Sequence, residues 1–229
     1  MVDAIRNHIA EIREKIDAAT ERAGRGISEV KLMAVTKTRT VEEMAAAVPW
    51  VDCLGENRVQ EAAAKKVVWP DSAKIGWHLI GHLQSNKVRK ALMLFDSLDS
   101  LDSVSLAQTV ERIAEELERT VSVLIEVNTS GEASKTGVEP SGVPELLDCI
   151  LACAHLKLEG FMTIGPLTDN ESEVRGAFCR LREMASEARL KSGLPLPVLS
   201  MGMSGDFEWA VLEGSTMVRI GTSLFGSRM

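Results

Sequence analysis

A chain of 229 residues, 45% of them hydrophobic and 26% charged, is long enough to bury a full-sized core, as one large domain or two small ones. Twenty-six basic residues against 33 acidic ones leave a formal charge of −7, which argues against non-specific nucleic-acid binding because that runs on basic surface. The absence of tyrosine excludes any mechanism that needs a phenol as acid, base or nucleophile.

The opening stretch, MVDAIRNHIAEIREKIDAATERAG, carries charges throughout and lacks the apolar segment of a signal peptide. Ile5, Ile9, Ile12 and Ile16 form one apolar stripe, which predicts a first helix that Gly24 and Gly26 terminate. Eight short apolar or β-branched runs follow: Lys31–Thr36, Val51–Leu54, Ile75–Ile80, Leu94–Leu98, Val121–Val127, Leu158–Ile164, Pro197–Ser200 and Met217–Ile220. Helical patterns separate most of them, at Val41–Ala47, Val59–Val67, Leu101–Leu117, Val143–Ala154 and Glu171–Leu190, with Ser28 and Ser141 as loop or cap residues. Runs apolar on both faces, each followed by a helix, mark a parallel sheet covered by helices. Eight units in 229 residues, about 29 residues each, predict a single domain over 1–229, a (β/α)8 TIM barrel with an extra N-terminal helix. A doubly wound open sheet competes, because periodicity does not show closure.

No apolar run, Ala91–Phe95 included, approaches the roughly 18–20 residues of a membrane span. Cys53, Cys149, Cys153 and Cys179 show no C-x-x-C spacing, so the expectation is a reduced, cytoplasmic protein in which Cys149 and Cys153 are apolar fillers on one helix face.

In a barrel the functional residues belong at the C-terminal strand ends. There stand Thr36-Lys37-Thr38, Gly55-Glu56-Asn57-Arg58, His78 with Gly81–Lys87, Glu126 with Asn128-Thr129, Met162-Thr163, Ser200–Ser204 and Arg219–Thr222. Ser200-x-Gly-x-Ser204 precedes a predicted helix over Asp206–Leu212, and Gly221-Thr222-Ser223 follows the last strand; both offer hydroxyls and backbone N–H groups suited to a phosphate. Two plain tight turns are the alternative. Lys37 at the first strand's mouth reads either as a solvated lysine or as a partly desolvated, nucleophilic amine. An amine and a phosphate site on one barrel face point to a phosphorylated aldehyde, of which pyridoxal phosphate is the obvious one.

Six segments then carry a resemblance: Ala34–Lys37, Gly55–Glu61 (GENRVQE), Trp77–Lys87 (WHLIGHLQSNK), Gly160–Ile164 (GFMTI), Leu199–Ser204 (LSMGMS) and Gly214–Thr222 (GSTMVRIGT). Together they span nearly the whole chain, which resembles the pyridoxal phosphate homeostasis proteins, also called the proline synthase co-transcribed family, whose fold is like the N-terminal barrel of alanine racemase. The resemblance implies a pyridoxal 5′-phosphate cofactor held covalently as an aldimine on Lys37. It implies that Ser200, Ser204, Gly221 and Thr222 hold the phosphate. Arg219 would face the pyridine nitrogen, Asn57 would lie near the polar edge, and His78 and Met162 would line the pocket. It further implies a cytoplasmic monomer serving vitamin B6 homeostasis, a carrier or regulator for pyridoxal-phosphate-dependent apo-enzymes with no catalytic residue, metal, nucleic acid or membrane. Arg58 stands where many members have Tyr, and His82 where many have Pro.

The alternative is a racemase-like enzyme. A two-base racemase of the alanine type sets a tyrosine opposite the lysine and adds a second domain; this sequence has no tyrosine, and eight βα units consume its 229 residues. Arg219 cannot accept a pyridinium proton, which favours an unprotonated ring, although alanine racemases work with Arg there. His78 or a cysteine is left as a substitute base. Four further features read as follows. His78 and His82 straddle a strand end, where binding or packing is favoured over a metal. Lys135, in the loop Asn128–Gly137, either guides an anionic ligand inward or belongs to a solvated mobile loop. Gln84–Lys90 reads as a solvated helix face. Glu111, Arg112, Glu115, Glu116 and Arg119 read as ordinary surface charges.

Overall fold

The computed structural model describes residues 1–226 apart from Ser28, Asp71 and Ala133, so the expectation for Ser28 lies outside the described residues. Helix α1 (Val2–Arg22) buries Ile5, Ile9, Ile12 and Ile16 and ends in the left-handed Gly24 at φ 68°. It is followed by β1 (Lys31–Val35), α2 (Val41–Ala47), β2 (Cys53–Glu56), α3 (Val59–Val67), β3 (Gly76–Leu79) and α4 (Val88–Leu94). The chain continues through β4 (Ser97–Leu101), α5 (Val104–Glu116), β5 (Val121–Glu126), α6 (Val143–Leu151) and β6 (Leu156–Met162). It closes with α7 (Glu171–Ser192), β7 (Val198–Ser200), α8 (Phe207–Leu212), β8 (Met217–Ile220) and α9 (Thr222–Phe225).

All eight strands pair in parallel with their sequence neighbours, and the first meets the last: Lys31 lies opposite Met217 and Ala34 opposite Ile220. This closure rules out the open sheet. Outward residues such as Leu32, Leu54, Leu79, Val123, Phe161 and Val218 pack under the helices in one continuous core. Inside the barrel the apolar filling is small, formed by Met33, Cys53 and Met217 with Ile80 and Val198 against them. Buried Asp99, Glu126, Ser200 and Arg219 stand on β4, β5, β7 and β8, within the strand or at its C-terminal end.

Four local expectations are corrected. The fourth strand is Ser97–Leu101 rather than Leu94–Leu98, because Leu94 ends α4 and the apolar run Ala91–Phe95 belongs largely to that helix. The next helix starts at Val104, where Ser103 caps it by accepting from the Leu106 N–H at 3.4 Å. Glu111 and Arg119 are not plain surface charges: Glu111 accepts from the Ala154 and His155 N–H groups, and Arg119 donates to the carbonyls of Leu92 and Phe95, which tie off neighbouring element ends. Helix α6 stops at Leu151, so Cys153 lies past it, its thiol donating to the Cys149 carbonyl at 3.2 Å.

Candidate functional site

The mouth of the barrel is built from the turns after the strands. After β1 the chain buries Thr36, presents the half-buried Lys37, and turns through Thr38 in the left-handed region at φ 64°. A β-branched residue resists that conformation, so the turn must be held from outside. Glu61 does this directly by accepting the Thr38 N–H at 2.5 Å.

Asn57 follows β2. Its Oδ1 is buried and has no hydrogen-bond partner among the described residues, as a group kept for a ligand would be. Gly81 makes its position possible: a Cβ there would lie 2.3 Å from the Asn57 carbonyl oxygen.

His78, on β3, hydrogen-bonds through Nδ1 to Asp99 Oδ2 at 2.9 Å, and Asp99 also accepts from Ser97 Oγ at 2.5 Å. Burial by itself would lower the imidazolium pKa; the Asp99 charge and hydrogen bond outweigh it and hold the group at about 11. Its Nε2 faces Gly76, two residues earlier on the strand, where an added Cβ would sit 3.8 Å away. The ring is thus directed into the barrel's lower layer rather than squarely at the mouth. His82 pairs separately with Asp102 at 3.2 Å.

Met162 is buried at the end of β6, in register with Glu126 on one side and Ser200 on the other. Arg219 reaches the same level from β8: Nη1 donates to the Ser200 carbonyl at 2.7 Å and to Ser200 Oγ at 3.0 Å, and Nη2 to the Thr163 carbonyl at 2.8 Å. Burial pulls the guanidinium's pKa down while Glu126, Asp206 and Asp99 oppose it from further off. Among the described residues no carboxylate comes within salt-bridge distance of this buried cation, leaving positive character for a ligand acceptor.

Ser204 and the turn after β8 meet: the Ser223 N–H donates to Ser204 Oγ at 3.3 Å. Gly202, at φ 96°, folds that loop back against α8, where an added Cβ would stand 2.9 Å from Phe207 Cα. Gly221 abuts the start of the Lys37 turn, an added Cβ there lying 3.3 Å from the Val35 carbonyl oxygen, and Thr222 opens α9. The structure therefore brings the Lys37 turn, Gly221-Thr222 and Ser204 to one side of the mouth, and sets Ser200 on Arg219. A cleft of about 320 Å³ between Ser204, Ser223 and α1, and another of about 570 Å³ beside Lys135, Met203 and Asp206, flank this region.

The Asn128–Gly137 loop is organised by Asn128, whose Oδ1 accepts from Ser130 Oγ and the Gly131 N–H. Lys135 donates to Glu132 Oε1 at 2.7 Å and to the Gly165 carbonyl at 2.6 Å. Asp99, buried and paired with the candidate residue His78, was not singled out from the sequence; alternation around an inward-facing acid on a strand was its only signal.

Residues 7–229 match the family described as alanine racemase, N-terminal domain. A pyridoxal phosphate homeostasis protein of Aquifex aeolicus is 42% identical over 224 residues, covering 96% of each chain. PipY of Synechococcus elongatus, solved with pyridoxal phosphate bound, is 37% identical with a TM-score of 0.80, covering 94% of this chain and all of PipY (100%). An alanine racemase of Clostridium difficile shares the fold at a TM-score of 0.77 but only 15% identity, over 99% of this chain and 60% of the racemase.

Proposed function

Because this chain belongs to the pyridoxal phosphate homeostasis proteins, within the alanine racemase N-terminal domain family, we propose that it binds pyridoxal 5′-phosphate as a Schiff base on Lys37 and serves vitamin B6 homeostasis without catalytic turnover. The binding unit is the single barrel domain over 1–229. Bound there, the cofactor would supply an electrophilic aldehyde carbon to which the Lys37 amine would attach with loss of water.

The residues fit the group. Ser204, Gly221 and Thr222 offer a hydroxyl and backbone N–H groups for a phosphate beside the Lys37 turn, with Ser200 linking that side to Arg219. Asn57 brings an unpartnered buried oxygen, and Met162 an apolar wall. Arg219, a donor only, would keep the ring nitrogen unprotonated and the ring a weaker electron sink.

The observation that carries the non-catalytic reading is the absence of tyrosine, the second base of an alanine-type racemase, from these 229 residues. His78 is engaged through Nδ1 by Asp99 at 2.9 Å, which favours its protonated form and works against its serving as a substitute base. The PipY complex supports cofactor binding by a relative. Delivery to pyridoxal-phosphate-dependent apo-enzymes, a monomeric state and a cytoplasmic location belong to the same proposal. Among the described residues no helix is long and apolar enough to cross a membrane.

Incubation with the cofactor should give a yellow protein whose visible absorbance is lost in Lys37→Ala. A broad panel of amino acids should show no exchange of the α-hydrogen with solvent deuterium. A colourless wild type would overturn cofactor attachment, and Lys37-dependent exchange would establish the racemase-like reading instead.

A further inference from the structure

Behind the Lys37 turn lies a buried ion cluster that cofactor contact does not use. Lys65, on α3, donates through Nζ to three oxygens: Glu56 Oε1 at 2.6 Å, Glu61 Oε1 at 2.7 Å and the Thr36 carbonyl at 2.7 Å. Glu56 closes β2 with its side chain fully buried, and its Oε1 also accepts from Thr36 Oγ1 at 2.6 Å. Glu61 Oε1 accepts the Thr38 N–H. Both neighbours of Lys37 are therefore tied to a single ammonium, Thr36 through its hydroxyl and carbonyl and Thr38 through its amide.

Such a cluster is a poor device for stability, because desolvation cancels much of the attraction. Burial pushes the Glu56 carboxyl's pKa up against the pull of Lys65 and Thr36, and Glu56 Oε2 lacks a partner among the described residues. Geometry is what it supplies: Thr38 is left-handed, a state that relaxes unless its amide is held. We infer that Glu56, Lys65 and Glu61 are positioning residues, which lock the Thr36–Thr38 backbone so that the Lys37 amine is presented to the barrel mouth for covalent attachment. This rests on Lys37 being the attachment residue.

The test compares two probes on the whole protein. Pyridoxal phosphate binds covalently; pyridoxamine phosphate has the same ring and phosphate but no aldehyde to react. Glu61→Ala should weaken pyridoxal phosphate about three- to tenfold, the net worth of one ordinary hydrogen bond, and leave pyridoxamine phosphate within about twofold. Glu61→Gln, which keeps an oxygen acceptor for the Thr38 N–H, should restore most of the loss. Lys65→Met should lose more than Glu61→Ala, again on pyridoxal phosphate alone; should it fail to fold, the half-buried Glu61 pair of variants decides. Equal losses on both probes, or no loss in Glu61→Ala, would overturn the positioning role. Mapping the reduced adduct in wild type separates the two claims: an adduct away from Lys37 removes the premise, whereas an adduct on Lys37 with equal probe losses removes only the inference.

Discussion

Gly81→Ala perturbs the site through the backbone of Asn57 and leaves every side chain proposed to bind the cofactor chemically unchanged. The new Cβ would lie 2.3 Å from the Asn57 carbonyl oxygen and 2.8 Å from Asn57 Cα, both backbone atoms that cannot rotate away. Relief to ordinary contact requires a shift of about 1 Å. Gly81 cannot simply retreat, because its own carbonyl accepts from Ser100 Oγ at 2.8 Å. Overpacking of this kind costs about 1–3 kcal/mol, and a chain of this length loses roughly 2–4 °C of melting temperature per kcal/mol, so a drop of about 5 °C is expected. Carrying Asn57 Oδ1 away from the mouth should cost one hydrogen bond, about 1 kcal/mol or roughly fivefold in affinity for pyridoxal phosphate. Thermal unfolding followed by circular dichroism and a cofactor titration read the two effects. Gly205→Ala is the stability control: nothing lies within 4 Å of its Cβ position, and its melting temperature should barely change. A Gly81→Ala protein that melts and binds like wild type would refute the claim that this close approach fixes Asn57.

His78 has a folded pKa of about 11, above its ordinary value, so its stabilising contribution is complete below about pH 6.5 and is lost as pH rises toward 11. Stability should therefore fall between about pH 7 and pH 9 with a share of at most about 1.4 kcal/mol per pH unit from this group, and Asp99→Asn should flatten the slope in denaturant titrations; parallel slopes would contradict the pair. Ser204→Ala removes the acceptor of the Ser223 N–H and should weaken pyridoxal phosphate about three- to tenfold while the melting temperature moves by less than about 2 °C, as a titration and a melt would show. Gly176→Ala, inside α7 with only Arg180 Nη1 at 3.7 Å from the new Cβ, should raise stability by about 0.5–1 kcal/mol in the same melts, and a decrease would contradict the open packing seen there.

The outer core was legible because it obeys simple periods. The isoleucine stripe of α1 and the two-sided apolar strands each announce a face that must be buried, and eight such units led to the barrel. Closure itself was not legible, since nothing in the pattern states that Lys31 pairs with Met217. The interior was harder for a physical reason: strand residues facing the mouth are polar, so β4, with Ser97 and Asp99 turned inward, looks like a loop, and the apolar end of α4 looks like the strand. Lys37, Arg219 and the two serine–glycine turns were singled out as candidates because they sit at strand ends. The Glu56–Lys65–Glu61 cluster was not, because only Glu61 and Lys65 are visibly four residues apart, which on its own reads as a solvated helix pair. His78 was expected against the cofactor; its Asp99 partner and the direction of Nε2 come only from the three-dimensional arrangement.

The account stands most directly on where the cofactor attaches. Wild-type protein incubated with pyridoxal phosphate, reduced with borohydride and digested should yield, by mass spectrometry, a single pyridoxyl adduct on the peptide that carries Lys37. An adduct on Lys135 with Lys37 unmodified, or no adduct at all, would contradict it.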